Sequence, residues 1–224
     1  MVRRTFIFKV KDDASADQVK GLETALRDTP DRIPVVLRGS YGKNLGQHGG
    51  WTHVWDFDVA RLEDNPVYVD HPHHKDVLMP FFSPKSPTCI ADKIDYGYYQ
   101  PLHAGVTQAK GREVIRRVMF YRIGENASDA QKSELDERLL ELPKHVSGIT
   151  NWALNEVTKS MRPDTWSHVW ELEFTDNAGL QQYSDDPFHL DEVAPYFRPD
   201  SAKRIVDEIN VVWYRAAAPM IAVP

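Results

Sequence analysis

The sequence predicts an α+β fold: two successive βαββαβ units whose bare sheet faces meet as one eight-stranded barrel, with the helices outside. Three observations carry this expectation. The segment Arg3-Arg4-Thr5-Phe6-Ile7-Phe8-Lys9-Val10 returns 113 residues later as Arg116-Arg117-Val118-Met119-Phe120-Tyr121-Arg122-Ile123. Trp51-Thr52-His53-Val54-Trp55-Asp56 returns 115 residues later as Trp166-Ser167-His168-Val169-Trp170-Glu171. That second offset then holds to the end, pairing Tyr68 with Tyr183, Pro72 with Pro187, His74 with His189 and Tyr99 with Tyr214. A fixed register over such a length marks a tandem duplication.

Each unit reads in the same order. Residues 3–10 alternate apolar and polar, the period of a half-buried strand. Ser15 suits an N-cap, and Val19, Leu22, Ala25 and Leu26 then share one face of a helix over about 16–28. Pro30 and Pro34 mark its end. Residues 35–41 and 51–58 suit two strands joined by the Gly-rich loop Gly42 to Gly50. A helical stretch over about 63–80 is broken by Pro66, Pro72 and Pro80, and 89–99 gives the last strand. This is a ferredoxin-like unit. Helices cover one face of its sheet and leave the other bare, so two units bury those faces together. The expected layout is a first repeat over 1–100, a linker over 101–114, a second repeat over 115–214 and a tail over 215–224. Two insertions before the second Trp-Ser-His strand fall at Met161-Arg162-Pro163-Asp164. The chain carries its own partner, so it is expected to act as a monomeric pseudo-dimer, with further homodimerisation open.

Composition narrows the function classes. The 224 residues are 42% hydrophobic and 11% aromatic, which argues against intrinsic disorder. Net charge is −6, with 27 basic residues scattered along the chain. Nucleic acid is not an expected partner. No apolar run approaches the roughly 18–20 residues of a membrane span. Lys9, Lys11, Asp12 and Asp13 interrupt the start, so no secretory signal is expected. The single cysteine, Cys89, allows no intrachain disulfide, and a cytoplasmic setting fits.

The nine histidines and six tryptophans point to candidate sites. Period-two alternation would put Trp51, His53, Trp55 and Phe57 on one face of a strand. His53 is then either a core imidazole bonded to a carbonyl or a pocket group, and its recurrence as His168 indicates one retained environment. Tyr68 and His74 lie six residues apart across Pro72. A kinked helix could aim both at the same sheet face, and Tyr183 and His189 repeat the pair. An imidazole can take a proton from carbon beside a carbonyl, and a phenol can donate to the oxyanion that develops. Arg4 and Arg117 open the first strand of each repeat, where each could hold a carboxylate or close a strand-end ion pair. Trp51, Trp55, Trp166 and Trp170 are candidates for an aromatic cage or for plain core. His71, His73 and His74 are not expected to hold a metal. Two of the three become Asp186 and Phe188 in the second copy, and zinc sites require three or four ligands. Gly42-Lys43-Asn44-Leu45-Gly46 lacks the spacing of a phosphate loop.

Several segments together resemble a known family. They are Phe8-Lys9-Val10-Lys11-Asp12, Gly42-Lys43-Asn44, Trp51-Thr52-His53-Val54 and Tyr68-Val69-Asp70-His71-Pro72-His73-His74. Each half resembles the stress-responsive α/β-barrel (Dabb) family of the dimeric α/β-barrel superfamily. The second half does so with Asp186-Pro187-Phe188-His189 in place of the His-Pro-x-His element. One plant branch of that family looks like a polyketide cyclase. The resemblance implies Tyr68 and His74 as reacting groups with His53 lining the pocket, and Tyr183, His189 and His168 in the second half. Arg4 and Arg117 stand where that branch has a histidine early in strand one.

Three function classes follow. The first is a cofactor-independent enzyme acting on a small carbonyl compound, aromatic or polyketide-like, by His/Tyr acid–base chemistry as an aldol-type cyclase, lyase or isomerase. The second is a non-catalytic, small-ligand-binding stress barrel. The third is an oxidoreductase, cofactor-free or haem-dependent. No cofactor is expected under the first, and the first half is expected to hold the principal site.

Overall fold

The computed structural model describes residues 1–107, 113–162 and 165–221. The first repeat runs β1 (Val2–Val10), α1 (Ala16–Arg32), β2 (Val36–Lys43), β3 (His53–Val59), α2 (Asn65–Asp70), a π-helical turn (His73–Leu78), α3 (Met79–Phe82) and β4 (Ala91–Val106). The second runs β5 (Val114–Ile123), α4 (Asp129–His145), β6 (Ile149–Ser160), β7 (His168–Phe174), α5 (Asn177–Asp185), a π-helical turn (His189–Val193), a short 3-10 turn (Ala194–Tyr196) and β8 (Val206–Ala216). The eight strands form one sheet in the order β2-β3-β1-β4-β6-β7-β5-β8. Within each repeat the ladders are antiparallel and in equivalent register: Val2 faces Val59 as Ile115 faces Phe174.

Local chemistry explains the elements. Ser15 caps α1 and Gln18 reaches back to it, and Ser128 and Gln131 do the same for α4. Leu22, Ala25, Leu26 and Thr29 are the buried stripe of α1. α1 runs through Pro30, which was expected to mark its end, and α4 through the equivalent Pro143; each helix stops two residues later. A proline in the last turn forfeits a single backbone bond, and the extended cap of α1, Ile33, directly precedes Pro34.

The repeats join along two seams. At one, β4 and β6 form an antiparallel ladder from Gly97–Ser160 to Val106–Asn151. This ladder draws β4 six residues into the stretch expected as linker; residues 108–112 lie outside the described residues. At the other, the sheet curls until β2 and β8 nearly meet. The Leu45 N–H donates to the Trp213 carbonyl (2.8 Å), and the Trp213 N–H donates to Asn44 Oδ1 (3.0 Å). Gly42 permits that approach, since a Cβ there would stand 2.3 Å from the Tyr214 ring. The inserted loop falls partly outside the described residues, at 163–164.

Strand alternation sorts the core into layers. Outside the barrel, Phe6, Phe8, Trp55 and Phe57 pack under α1 to α3, and Met119, Tyr121, Trp170 and Leu172 pack under the second repeat's helices. Inside, Ile7, Val54, Tyr99, Val118, Val169 and Tyr214 form an apolar cluster. The rest of the interior is charged. Arg3 binds Asp58 through two nitrogens (2.7 and 3.0 Å) and reaches Glu171 across the barrel (3.2 Å). Arg116 pairs with Asp56 of the first repeat (2.6 Å), with Glu173 (3.1 Å) and with Glu171. Tyr99 Oη donates to Glu171 (2.6 Å) and Tyr214 Oη to Asp56 (2.7 Å). These cross-repeat bonds fix how the halves dock. Burial alone would raise Glu171, but Arg116 and Arg3 outweigh it and hold the carboxyl below its usual range.

The chain end closes this interior. The Met220 and Ile221 N–H groups donate to Glu173 Oε1 (2.6 and 3.0 Å), and the Met220 carbonyl accepts from Arg3 and Arg38. Of the tail expected over 215–224, β8 takes the first two residues, and 222–224 lie outside the described residues. Among the described residues no helix is long and apolar enough to cross a membrane.

Candidate active site

The outer face of the first repeat carries a cavity of about 270 Å³ between the sheet and the segment α2 to α3. Its construction starts with β1. Two adjacent arginines cannot face the same side of a strand, so Arg3 enters the barrel and Arg4 points outward under the helices. Arg4 is only 9% exposed. Its guanidinium carbon lies 4.4 Å from the Tyr96 ring centre, 4.9 Å from Phe6, 5.5 Å from Tyr98 and 5.8 Å from Tyr68. Nη1 reaches Tyr68 Oη at 3.5 Å, while Nε is buried without a hydrogen-bond partner. Among the described residues Arg4 makes no ion pair.

The break after α2 sets the other two groups. His71 turns extended (ψ 138°), Pro72 follows, and the chain re-enters a wide π turn. Such turns recur at functional positions, and this one folds His74 back over Tyr68, with ring centres 4.6 Å apart. Tyr68 is buried against Phe57 (4.9 Å) and Trp55 (6.4 Å). His74 Nδ1 donates to the Val69 carbonyl (2.9 Å). That bond assigns the tautomer and leaves Nε2 with its lone pair. Burial is the largest influence on His74 and pushes its pKa down; the Val69 bond opposes this and Arg4 reinforces it. Burial pushes Tyr68 well up, against the pull of Arg4. At neutral pH the pair is therefore an unprotonated base beside a protonated phenol.

The second repeat builds a smaller copy of about 120 Å³ from Arg117, Tyr183 and His189. The His189 ring lies 4.2 Å from Tyr183 and Arg117 lies 5.2 Å from the same tyrosine. Arg117 Nη1 is buried without a partner, and Nη2 touches Met119 Sδ at 3.6 Å. The Ser184 carbonyl occupies the place of Val69 and raises the proton affinity of His189. Yet it lies outside hydrogen-bond geometry, and His189 Nδ1 is buried unpartnered. Burial and Arg117 bring His189 down to about 4.

The structure separates other residues that the sequence grouped with these. His53 does not line the cavity. It stacks between Phe8 (5.3 Å) and Tyr41 (5.8 Å) and bonds Thr52 Oγ1 through Nδ1 (2.8 Å). It sits at the α1 end of β3, whereas Trp55 lies under Tyr68. His168 likewise stacks on Tyr121 (5.2 Å) and bonds Ser167 Oγ (3.0 Å). The expected aromatic cage also divides. Trp55 lines the first cavity, and Trp170 packs on Trp152 (6.0 Å). Trp51 and Trp166 join the barrel interior and donate to Asn210 (3.1 Å) and Asp95 (3.0 Å). Trp51 precedes the first paired residue of β3, so strand alternation does not reach it. His71, His73 and His74 point apart: His71 Nδ1 accepts from the His73 N–H (3.1 Å), and His73 Nε2 bonds the Ala25 carbonyl (3.0 Å). Among the described residues no group of three or more potential ligands is placed to hold a metal ion.

Four polar residues of the first cavity were not anticipated: Asn65, Tyr96, Tyr98 and Lys159. Tyr98 Oη donates to Asn65 Oδ1. Tyr96 and Tyr98 were visible as alternate residues of one strand, where the second repeat has Val211 and Trp213. Lys159 belongs to the second repeat and enters through the β4–β6 ladder opposite Tyr98.

The sequence matches the stress responsive A/B barrel domain twice, over residues 2–94 and 115–211. The chain therefore belongs to that family, as a tandem pair. No curated protein matches it in sequence. Among solved structures it is similar to an anthrone oxidase-like protein, at 11% identity over 96% of this chain and 90% of that one, with a TM-score of 0.68. A candidate monooxygenase of Fusobacterium nucleatum is similar at 11% identity, over 96% and 92% of the two chains, with a TM-score of 0.62. One from Lactobacillus acidophilus is similar at 10% identity, over 97% and 98%, with a TM-score of 0.57. At these identities the likeness is one of fold.

Proposed function

We propose that the protein is an enzyme that removes a proton beside a carbonyl group of a small molecule bound in the first cavity, without a cofactor. The observation that supports this most is the tie of His74 Nδ1 to the Val69 carbonyl, which leaves Nε2 as a base against Tyr68. His74 takes the proton. Tyr68, kept protonated by burial, donates to the oxygen on which charge develops, and Arg4 beside it favours that charge. Phe6, Trp55, Phe82 and Tyr96 offer flat apolar walls that suit an aromatic or polyketide-like skeleton. The enolate formed would lead to aldol-type cyclisation, cleavage or isomerisation. The first repeat is the principal site, because its cavity is more than twice the size of the second. His53 and His168 support the fold in this reading rather than reacting.

The test works with model ketones in place of the natural substrate. Purified protein in D₂O is offered a panel of aryl ketones, and loss of the α-proton signal is followed by NMR. His74→Gln is expected to slow exchange about 10²–10⁴-fold, the usual contribution of a general base. Unchanged exchange in that variant, or no exchange with any ketone in the wild type, would overturn the proposal. An oxygen electrode run alongside separates simple exchange from oxidation, which would instead favour oxygenase chemistry starting from the same deprotonation.

A further inference from the structure

The charged residues lining the first cavity are Arg4 and Lys159; no carboxylate is among them. The protein as a whole carries −6, so the cavity runs against the charge of the molecule. Arg4 is the informative member. Its neighbours in sequence and repeat, Arg3 and Arg116, are equally buried and engage two and three carboxylates. Arg4 engages none among the described residues. Burying a charge is costly unless it is paired and hydrogen-bonded. The aromatic rings around Arg4 offset part of that cost, but they leave Nε without an acceptor. Lys159 is exposed and makes no ion pair among the described residues. Its ammonium lies 5.9 Å from the Tyr98 ring centre, the ring that Arg4 approaches to 5.5 Å. The two cations thus flank one wall of the cavity, one buried and one at the rim.

We propose that the substrate of the first cavity carries a carboxylate on a flat, aromatic-type skeleton, with Arg4 as its buried counter-ion and Lys159 of the second repeat as the rim charge that draws it in. This rests on the cavity being the substrate site, but not on the proton-transfer chemistry assigned to it. A guanidinium presents parallel N–H groups that match a carboxylate. The lone buried cation and the aromatic walls suit one planar monoanion better than a phosphate. The second repeat keeps Arg117 but has Gly46, Val211, Trp213 and Leu180 at the positions of Lys159, Tyr96, Tyr98 and Asn65. It therefore lacks both the rim cation and the polar ring, and its smaller cavity has less room for a ring-bearing anion.

The test is calorimetric titration of the full-length protein with benzoate and with benzamide, its neutral counterpart of the same shape, at low salt. Wild type is expected to bind benzoate at least tenfold more tightly than benzamide, the order of a charge-assisted hydrogen bond. Arg4→Met, which keeps the stem, should abolish that preference. Lys159→Met should weaken benzoate a few-fold and flatten the loss of affinity on adding salt. Lys159 is exposed, so this variant reports even if Arg4→Met does not fold. Equal binding of benzamide, no benzoate binding up to millimolar concentrations, or unchanged benzoate affinity in both variants would overturn the proposal. His74→Gln should still bind benzoate, so the acid–base reading and the carboxylate reading fail in separate experiments.

Discussion

Arg116 is the residue whose loss should cost the fold most. It is fully buried and contacts Asp56 (2.6 Å), Glu173 (3.1 Å) and Glu171, all at most 1% exposed. Arg116→Met keeps the aliphatic stem but strands three carboxylates. Removing one partner of a buried ion network costs about 3–5 kcal/mol. Some compensation remains: Asp56 keeps Tyr214, Glu173 keeps the Met220 and Ile221 N–H groups, and Glu171 keeps Arg3 and Tyr99. That places the estimate near the middle, about 4 kcal/mol, a large part of the roughly 5–15 kcal/mol that stabilises a domain. With a urea slope of about 2–3 kcal/mol/M, the unfolding midpoint should fall by roughly 1.3–2 M. Tryptophan fluorescence and far-UV circular dichroism would follow the transition. A second change sharpens the test. Neutralising one stranded acid, in Arg116→Met with Glu171→Gln, should recover about 1–2 kcal/mol relative to additivity. A midpoint shift below roughly 0.4 M, or strict additivity of the two changes, would refute the view that this network locks the repeats together.

Acid should weaken the protein in two stages. Burial brings His53 and His189 down to about 4 and also lowers His74 and His168. The unfolded chain therefore binds more protons below about pH 6.5. Stability is full above that value and falls as pH drops toward 4, by on the order of 2 kcal/mol for buried His53 and for half-buried His189. Below that, Glu171 and Asp58 lose their stabilisation as they protonate, because Arg116, Arg3 and Arg38 hold them under the usual carboxylate range against the effect of burial. Urea melts at pH 7, 5.5 and 4.5 should show the first stage; a flat profile would contradict it. In the deuterium-exchange assay, His189→Gln should leave most activity while His74→Gln removes it, and the reverse order would exchange the roles of the repeats. Gly42→Val should open the β2–β8 seam, because the added Cβ collides with the Tyr214 ring. It would be seen as faster amide exchange at Leu45 and Trp213, and unchanged protection there would contradict it.

How far the sequence could be read depended on which period governed each residue. The duplication fixed strand order and the Tyr–His pairing, because equivalent positions had to obey one geometry twice; it did not bring Arg4 into that group. Tyr68 and His74 meet as their recurrence indicated, although a π turn joins them, a geometry that no residue pattern announces. The same alternation that placed Arg4 under the helices also placed Arg3, Asp56 and Asp58 on the opposite face of the sheet. That consequence was available from the Trp55-Asp56-Phe57-Asp58 pattern: a strand that alternates aromatic and acidic residues, yet is covered on both faces, must neutralise its acids inside. Trp51 was misplaced because alternation holds only where the ladder is paired, and the ladder begins at His53. Lys159 lay beyond reach for another reason. It enters the cavity by the register of β4 on β6, a pairing between repeats that depends on how far β4 extends past its own unit. The most specific feature of the site, a cation lent by one repeat to the cavity of the other, is thus set by the seam between the copies. The repeat pattern that revealed the fold carries no record of that seam.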